Sequence, residues 1–459
     1  MVAQCTAASG GGFGVACCRS SPNLATGSGF WRLCHGAAYT WSTLNSRHLG
    51  SPPLLLHVWL VAIWLVIGAG LLGNAPAAMA AQGATPATNV PLAPPESISA
   101  AAVFALDTDS GVALLARNAD QRRSPASTTK IATALVVMRH AERDERVVIV
   151  ESDLVDITIF SHMGLFVGDT LTVDQLLYGA LLPSGSDAAR ALARYVGNKL
   201  DPAATSAEAA QARFVAEMNT LVADLGLANS QFANPEGNDD PAQYISARDL
   251  ALLARELLRD PVLATIVETR EWSGVSVGPE QRPYTVRTTN SLLGEEGVHG
   301  VKTGTTPDAG GCLVAARFID DHRVVVVVLG SDTPVIDQTS GDILADQRFD
   351  DTRAIFAEVR AAFRWLAPAE AGAVPGLLDE LAAWGVTLQE PPAIPIPAGA
   401  EAGFRYKLVL AAEGPERAEA GRVLFFIDSV RIGEVPVYQV AVDPAGSRDA
   451  ALGVYAPAA

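Results

Sequence analysis

Five consecutive valines, Val324–Val328, place the strongest single constraint on this chain of 459 residues. Side chains alternate between the two faces of a strand, so an unbroken apolar run has no face to turn to water. A strand over Arg323–Gly330 must therefore lie inside a sheet covered on both sides. Gly311–Ile319 precedes it across Asp320-Asp321, and the two read as a hairpin.

The remaining elements say what covers that sheet. Ala101–Leu106 and Val112–Arg117 read as strands around the turn Asp107-Thr108-Asp109-Ser110-Gly111. Helical spacing follows Pro125 over Ser127–Ala141, and recurs over Val173–Tyr178, Asp187–Val196 and Ala207–Leu225. Ser246 with Asp249 resembles a capping box ahead of Leu250–Arg259. Phe349–Trp365 reads as a closing helix. Strands, then helices, then strands, then a helix argue an α+β class: an antiparallel sheet packed with helices, plus a helical subdomain. Residues 367–400 carry prolines among alanines, and Phe404–Leu410, Arg422–Ile427 and Val435–Val442 then read as the strands of a small C-terminal β domain.

The N-terminal region is of another kind. Leu54–Leu72 is nineteen residues without a charge, followed by Ala78-Met79-Ala80, a small-residue cleavage candidate. It reads as a secretory signal or as an uncleaved membrane anchor. The expected organisation is leader, anchor and linker over 1–96, a catalytic domain over 97–370, and linker plus β domain over 371–459. Four of the five cysteines fall in the first fifty residues, leaving Cys312 alone in a mature chain. A disulfide scaffold and a cysteine metal site are both implausible there. The seven histidines show no metal-ligand spacing, so zinc hydrolase chemistry is not expected. The formal net charge is −17, and the first eighty residues hold arginines but no acid, so a mature chain is more acidic still. Such a surface repels phosphate backbones, and nucleic acid is not an expected partner.

Lysine usage points to chemistry. The chain has 33 basic residues but only four lysines: Lys130, Lys199, Lys302 and Lys407. Arginine cannot give up its proton at ordinary pH, whereas a buried lysine can serve as a base. Lys130 lies three residues after Ser127, and on a helix those positions share a face, which pairs a nucleophile with its base. Ser184-Gly185-Ser186 falls between two expected helices, and Lys302-Thr303-Gly304 lies at the start of the strand hairpin. Gly304 lets a substrate backbone come close to such a strand edge. Each motif is weak alone. The order S-x-x-K, S-x-x, K-T-G, with 57 and 118 residues between successive blocks, is not.

With these blocks the chain resembles the low-molecular-weight penicillin-binding proteins, the serine D-alanyl-D-alanine carboxypeptidase family, over about residues 97–370. Pro125–Ile131, Leu176–Gly179 with Ser184–Ala189, Phe214–Asn219, Phe232–Gly237 and Gly300–Thr306 carry the resemblance. Two positions depart from the family pattern: Ser186 stands where the family usually has Asn, and His299 where an acidic residue is common. The resemblance implies a DD-peptidase/β-lactamase-like fold and acyl transfer at peptidoglycan stem peptides, with β-lactams as inhibitors and no need of a metal or cofactor. It implies that Ser127 is the nucleophile, Lys130 its base and Ser184 a proton relay. Ser186, Lys302, Thr303, Gly304 and Thr305 would contact substrate, Lys302 and Thr303 holding its carboxylate, and the backbone N–H groups of Ser127 and Thr305 forming an oxyanion hole. It also implies an extracytoplasmic location, in the periplasm or cell wall. A β-lactamase is the nearest alternative, but it needs a water-activating carboxylate near Ser127 that the sequence does not identify. A non-catalytic cell-wall-binding protein is the other, and two motif lysines kept in a lysine-poor chain argue against it. Three other residues carry bland expectations: His162 in a loop near the cleft, Glu217 on a solvated helix face, and Cys312 buried in a strand.

Overall fold

The computed structural model describes residues 91–333, 335–336, 343–411 and 419–440. The apolar segment Leu54–Leu72 and its cleavage candidate lie outside the described residues, as do Ala441 and Val442 of the last expected strand. Among the described residues, no helix is long and apolar enough to cross a membrane.

Strands β1 (Ala102–Asp107) and β2 (Ala113–Arg117) open the chain of elements, followed by a 3-10 turn, Ala126–Thr129, that runs into helix α1 (Lys130–His140). A short β3–β4 pair (Arg146–Val148, Thr170–Thr172) leads to α2 (Val173–Leu181), α3 (Ser186–Leu200) and α4 (Ala207–Asp224). Next come α5 (Ala247–Arg259), α6 (Pro261–Val267) and a hairpin, β5 (Glu271–Val275) with β6 (Pro283–Arg287). The sheet is completed by β7 (Val298–Thr306), β8 (Gly310–Ile319) and β9 (His322–Ser331).

These strands form one antiparallel five-stranded sheet in the order β2-β1-β9-β8-β7. The valine strand β9 lies at its centre, and all five valines are fully buried. Val325 and Val327 face the core that includes Ile131, Leu250 and Leu253. Val324, Val326 and Val328 face the other side, against Phe349, Ile355, Phe356 and Val359. The last four belong to α7 (Gln347–Ala362), reached through the short pair β10 (Val335–Ile336) and β11 (Ile343–Ala345). Helices thus cover both faces, as the valine run requires. Helices α3 and α4 pack closely, and Gly197 allows it: a Cβ there would run into the carbonyl group of Ala210.

Two expectations are corrected. The closing helix stops at Ala362, and Phe363–Leu366 is strand β12. Ser246 does cap α5, accepting from the N–H of Asp249. The Asp249 carboxylate does not complete the box; it accepts from Asn229 N and Ser230 Oγ. After β12 come α8 (Leu377–Ala383), β13 (Val386–Leu388) and β14 (Ile394–Pro397), which pairs with β12. Strands β15 (Phe404–Leu410), β16 (Glu419–Ile427) and β17 (Val430–Gln439) join β13 in a separate four-stranded sheet with its own apolar core.

Candidate active site

Ser127 sits on the 3-10 turn, and Lys130 is the first residue of α1. The three-residue spacing brings the Lys130 Nζ to 3.0 Å from the Ser127 Oγ. The turn is held from two sides. Thr128 and Thr129 hydroxyls donate back to the carbonyls of Pro125 and Ala126. Two glycines let other segments close on it: a Cβ at Gly237 would run into the Ala126 carbonyl, and one at Gly304 would stand 2.9 Å from the Ser127 nitrogen. The K-T-G glycine is therefore needed for strand β7 to lie against the Ser127 turn.

Lys130 is 0% exposed. Its amine also donates to the main-chain oxygen of Glu236 at 2.6 Å and lies 3.4 Å from Ser186 Oγ. Burial, partly opposed by Glu236 and Asp187, lowers its pKa to about 8. That places a neutral amine within reach of ordinary pH.

The second block reaches the cleft through the start of α3. Ser184 is buried in a left-handed conformation, and its Oγ has no hydrogen-bond partner among the described residues. Ser186 opens α3 and its N–H donates to the carbonyl of Ser161. Asp187 pins the loop that passes over this helix start: its carboxylate accepts from the N–H groups of Met163, Gly164 and Leu165.

The third block lies on β7, at the edge of the main sheet. Lys302 is 1% exposed, and its Nζ donates to the Thr303 carbonyl at 2.9 Å. Burial first, then the Lys130 and Arg348 charges, push its pKa well down. The Thr303 hydroxyl meets that of Thr289, and Arg348, paired with Asp346, donates to the Gly304 carbonyl. Thr305 is exposed on the same strand. Asp239 ties the two sides together, accepting from Ser124 Oγ and Thr306 Oγ1. The structure thus brings Ser127, Lys130 and Ser186 into direct contact and lays Gly304 against the same turn.

Sequence reasoning overlooked Glu236, Asp187, Arg190, Arg348 and Asp239 as parts of this site. Asp187 and Glu236 lie inside the matched blocks and Arg190 and Asp239 just beyond them, whereas Arg348 lies far from any block and carried no such signal. Glu217 is also corrected: its carboxylate is 14% exposed and pairs with His140 and Arg213 between α1 and α4. His162 lies in the pinned loop with a buried, unpartnered Nδ1, and His299 stacks on Phe318. Cys312 is fully buried on β8. Among the described residues no group of three or more His, Cys, Asp or Glu is arranged to hold a metal.

A family model described as D-alanyl-D-alanine carboxypeptidase matches residues 88–333. The D-alanyl-D-alanine carboxypeptidase of Streptomyces strain K15 is 38% identical over 257 residues, which is 54% of this chain and 86% of that protein. One from Bacillus subtilis is 31% identical over 276 residues, covering 59% and 66% respectively. Among solved structures, the Streptomyces K15 DD-transpeptidase matches with a TM-score of 0.52 and 35% identity, over 57% of this chain and 97% of that one. Penicillin-binding protein 5 of Haemophilus influenzae gives a TM-score of 0.57 at 25% identity, over 75% and 97%.

Proposed function

The chain belongs to the D-alanyl-D-alanine carboxypeptidase family and is a serine peptidase, and from that premise we propose that Ser127 is its nucleophile and Lys130 the general base. The observation that carries this reading is the buried Lys130 amine 3.0 Å from the Ser127 hydroxyl. The substrates are peptidoglycan stem peptides ending in D-alanyl-D-alanine.

Ser127 Oγ attacks the carbonyl carbon of the penultimate D-alanine as its proton passes to Lys130 Nζ. The N–H groups of Ser127 and Thr305 face the resulting oxyanion; a donor of this type is worth about 3 kcal/mol of barrier. The peptide C–N bond then breaks, and Ser184 relays to the departing amine the proton that Lys130 took, so that Lys130 and Ser184 both regain their starting forms. Lys302 and Thr303 take the terminal carboxylate, and Ser186 the substrate backbone. Water hydrolyses the Ser127 ester and returns the enzyme. A β-lactam follows the same path, but its leaving nitrogen stays tethered, so the ester persists. Such chemistry serves outside the cytoplasm, in the periplasm or cell wall, and the apolar segment Leu54–Leu72 suits export or anchoring to the membrane.

Labelled penicillin followed by mass spectrometry of the proteolytic peptides tests this. The label is expected on Ser127 and absent from Ser127→Ala. Label on another serine overturns the assignment. Release of free D-alanine from a stem-peptide substrate reports the hydrolytic half of the cycle.

A further inference from the structure

The main-chain oxygen that holds the Lys130 amine belongs to Glu236, 106 residues further along the chain. Glu236 sits in a tight turn that is itself locked to the nucleophile segment. Thr133, one helical turn beyond Lys130, donates its hydroxyl to Pro235 O at 2.6 Å. Asn234 Oδ1 accepts from the N–H groups of Gly237 and Asn238. Gly237 rests on the Ala126 carbonyl with no room for a side chain.

The Glu236 side chain points to a second task. It is 5% exposed, and one oxygen, Oε1, takes both the Arg190 guanidinium at 2.9 Å and the Asn238 amide at 3.0 Å. The other oxygen, Oε2, is buried and has no hydrogen-bond partner among the described residues. A buried carboxylate with one oxygen unpartnered is costly, which raises the question of what its charge does here.

The charges around the Lys130 amine supply the answer. Glu236 and Asp187 favour its charged form and Arg190, ion-paired to Glu236, disfavours it, while the Lys130 charge in turn acts on Lys302 of β7. Asp187 is already engaged by four backbone N–H groups, those of Met163, Gly164, Leu165 and Ala188. Glu236 is the carboxylate left to set against Arg190.

We propose that Glu236 is a positioning residue for Lys130: its carbonyl aims the amine at Ser127, and its carboxylate cancels the Arg190 charge that otherwise faces that amine. The inference rests on Lys130 acting as the base. Glu236 acts through the Lys130 amine, which its main-chain oxygen holds, and not on substrate. It sets the pH at which the amine is free to accept a proton, and so the pH range in which the serine is reactive.

The sign follows from electrostatics. Removing a negative charge near an ammonium disfavours the charged form and lowers its pKa. The amine is then neutral at lower pH, and the acid limb of the acylation profile moves down. Removing Arg190 does the opposite. The test is the second-order rate of acylation by labelled penicillin across pH, on the full chain, for the wild type, Glu236→Gln and Arg190→Gln. Glu236→Gln is expected to move the midpoint down by about one pH unit, the size of effect of a single nearby charge. Arg190→Gln is expected to move it up. Loosened packing lowers the plateau without moving the midpoint, so an unmoved midpoint in Glu236→Gln overturns the proposal whatever its plateau. Should that variant not fold, Arg190→Gln decides, and an unmoved or lowered midpoint there overturns it. An unmoved midpoint with slowed release of the acyl group would instead make Glu236 a water-activating base. Absence of label on Ser127 in the wild type is a separate result, which removes the nucleophile assignment itself.

Discussion

Strands β7 and β15 each carry one of the four lysines, and each forms the edge of an antiparallel sheet. On β7, residues 300–304 are all buried, and Lys302 with them. On β15 exposure alternates: Phe404, Tyr406, Leu408 and Leu410 turn to the C-terminal core, while Arg405, Lys407 and Val409 turn to water. An edge position alone therefore does not decide the environment of a lysine. The cover decides it. The nucleophile turn lies against β7 at Gly304, and α7 brings Arg348 beneath it, so the strand loses its solvent side. Among the described residues, nothing comparable buries the outer face of β15. Desolvation of an amine, and hence chemistry, is available in one sheet and not in the other.

The largest test of that contrast removes the proposed base. Lys130→Arg keeps the charge but cannot accept a proton, and acylation by penicillin is expected to fall by at least about 10²-fold. In the wild type the rate should rise with pH through about 8, because the reactive form is the neutral amine and burial lowers its pKa to about that value. A rate that is flat from about pH 6 to 9, or near-normal acylation by the arginine variant, would make Lys130 an electrostatic partner only.

The next test compares the two edge lysines directly. Lys302→Gln removes a buried cation facing the proposed carboxylate site, and a hydrogen bond to a charged group is worth about 1.5–3 kcal/mol. The second-order rate with D-alanyl-D-alanine peptides should fall by about 10- to 10²-fold, mostly through KM. Lys407→Gln, on the exposed face of β15, should leave both rate and melting temperature unchanged. Equal effects of the two would break the comparison.

The smallest expected effect is at Ser186. Its hydroxyl stands 3.4 Å from the Lys130 amine, a long contact. Ser186→Asn adds a carboxamide with both donor and acceptor groups at the position where the sequence departs from the pattern of the family it resembles. A rise of a few-fold in acylation rate is expected, by analogy with one recovered hydrogen bond. An unchanged or lower rate means the cleft is built around the hydroxyl.

Much of this molecule was legible before its structure. The five valines require a central strand covered twice, because alternation leaves an apolar run no solvent face. The S-x-x-K spacing allows the Ser127–Lys130 contact, because a helical turn, here the 3-10 turn that runs into α1, puts those positions on one face. The order of the three blocks carried the family. All of these are local signals, or a sum of local signals read in sequence order.

What tertiary structure decided depends on segments that meet from far apart. Phe363–Leu366 continues a helical pattern in sequence, yet it is a strand because Ile394–Pro397 lies beside it and buries Ile394 and Ile396. The Asp249 carboxylate leaves its expected cap because Asn229 and Ser230 are brought to it. Glu236 meets Lys130, and Gly304 meets Ser127, only when the turn and the strand edge close on α1. Propensity and spacing act over a few residues, whereas burial and charge at the cleft are properties of the assembled layers. The sequence by itself therefore determined which residues are proposed for the chemistry, because its signals are local; the packing of β7, the Glu236 turn and α3 around one amine decided how strongly that amine is desolvated.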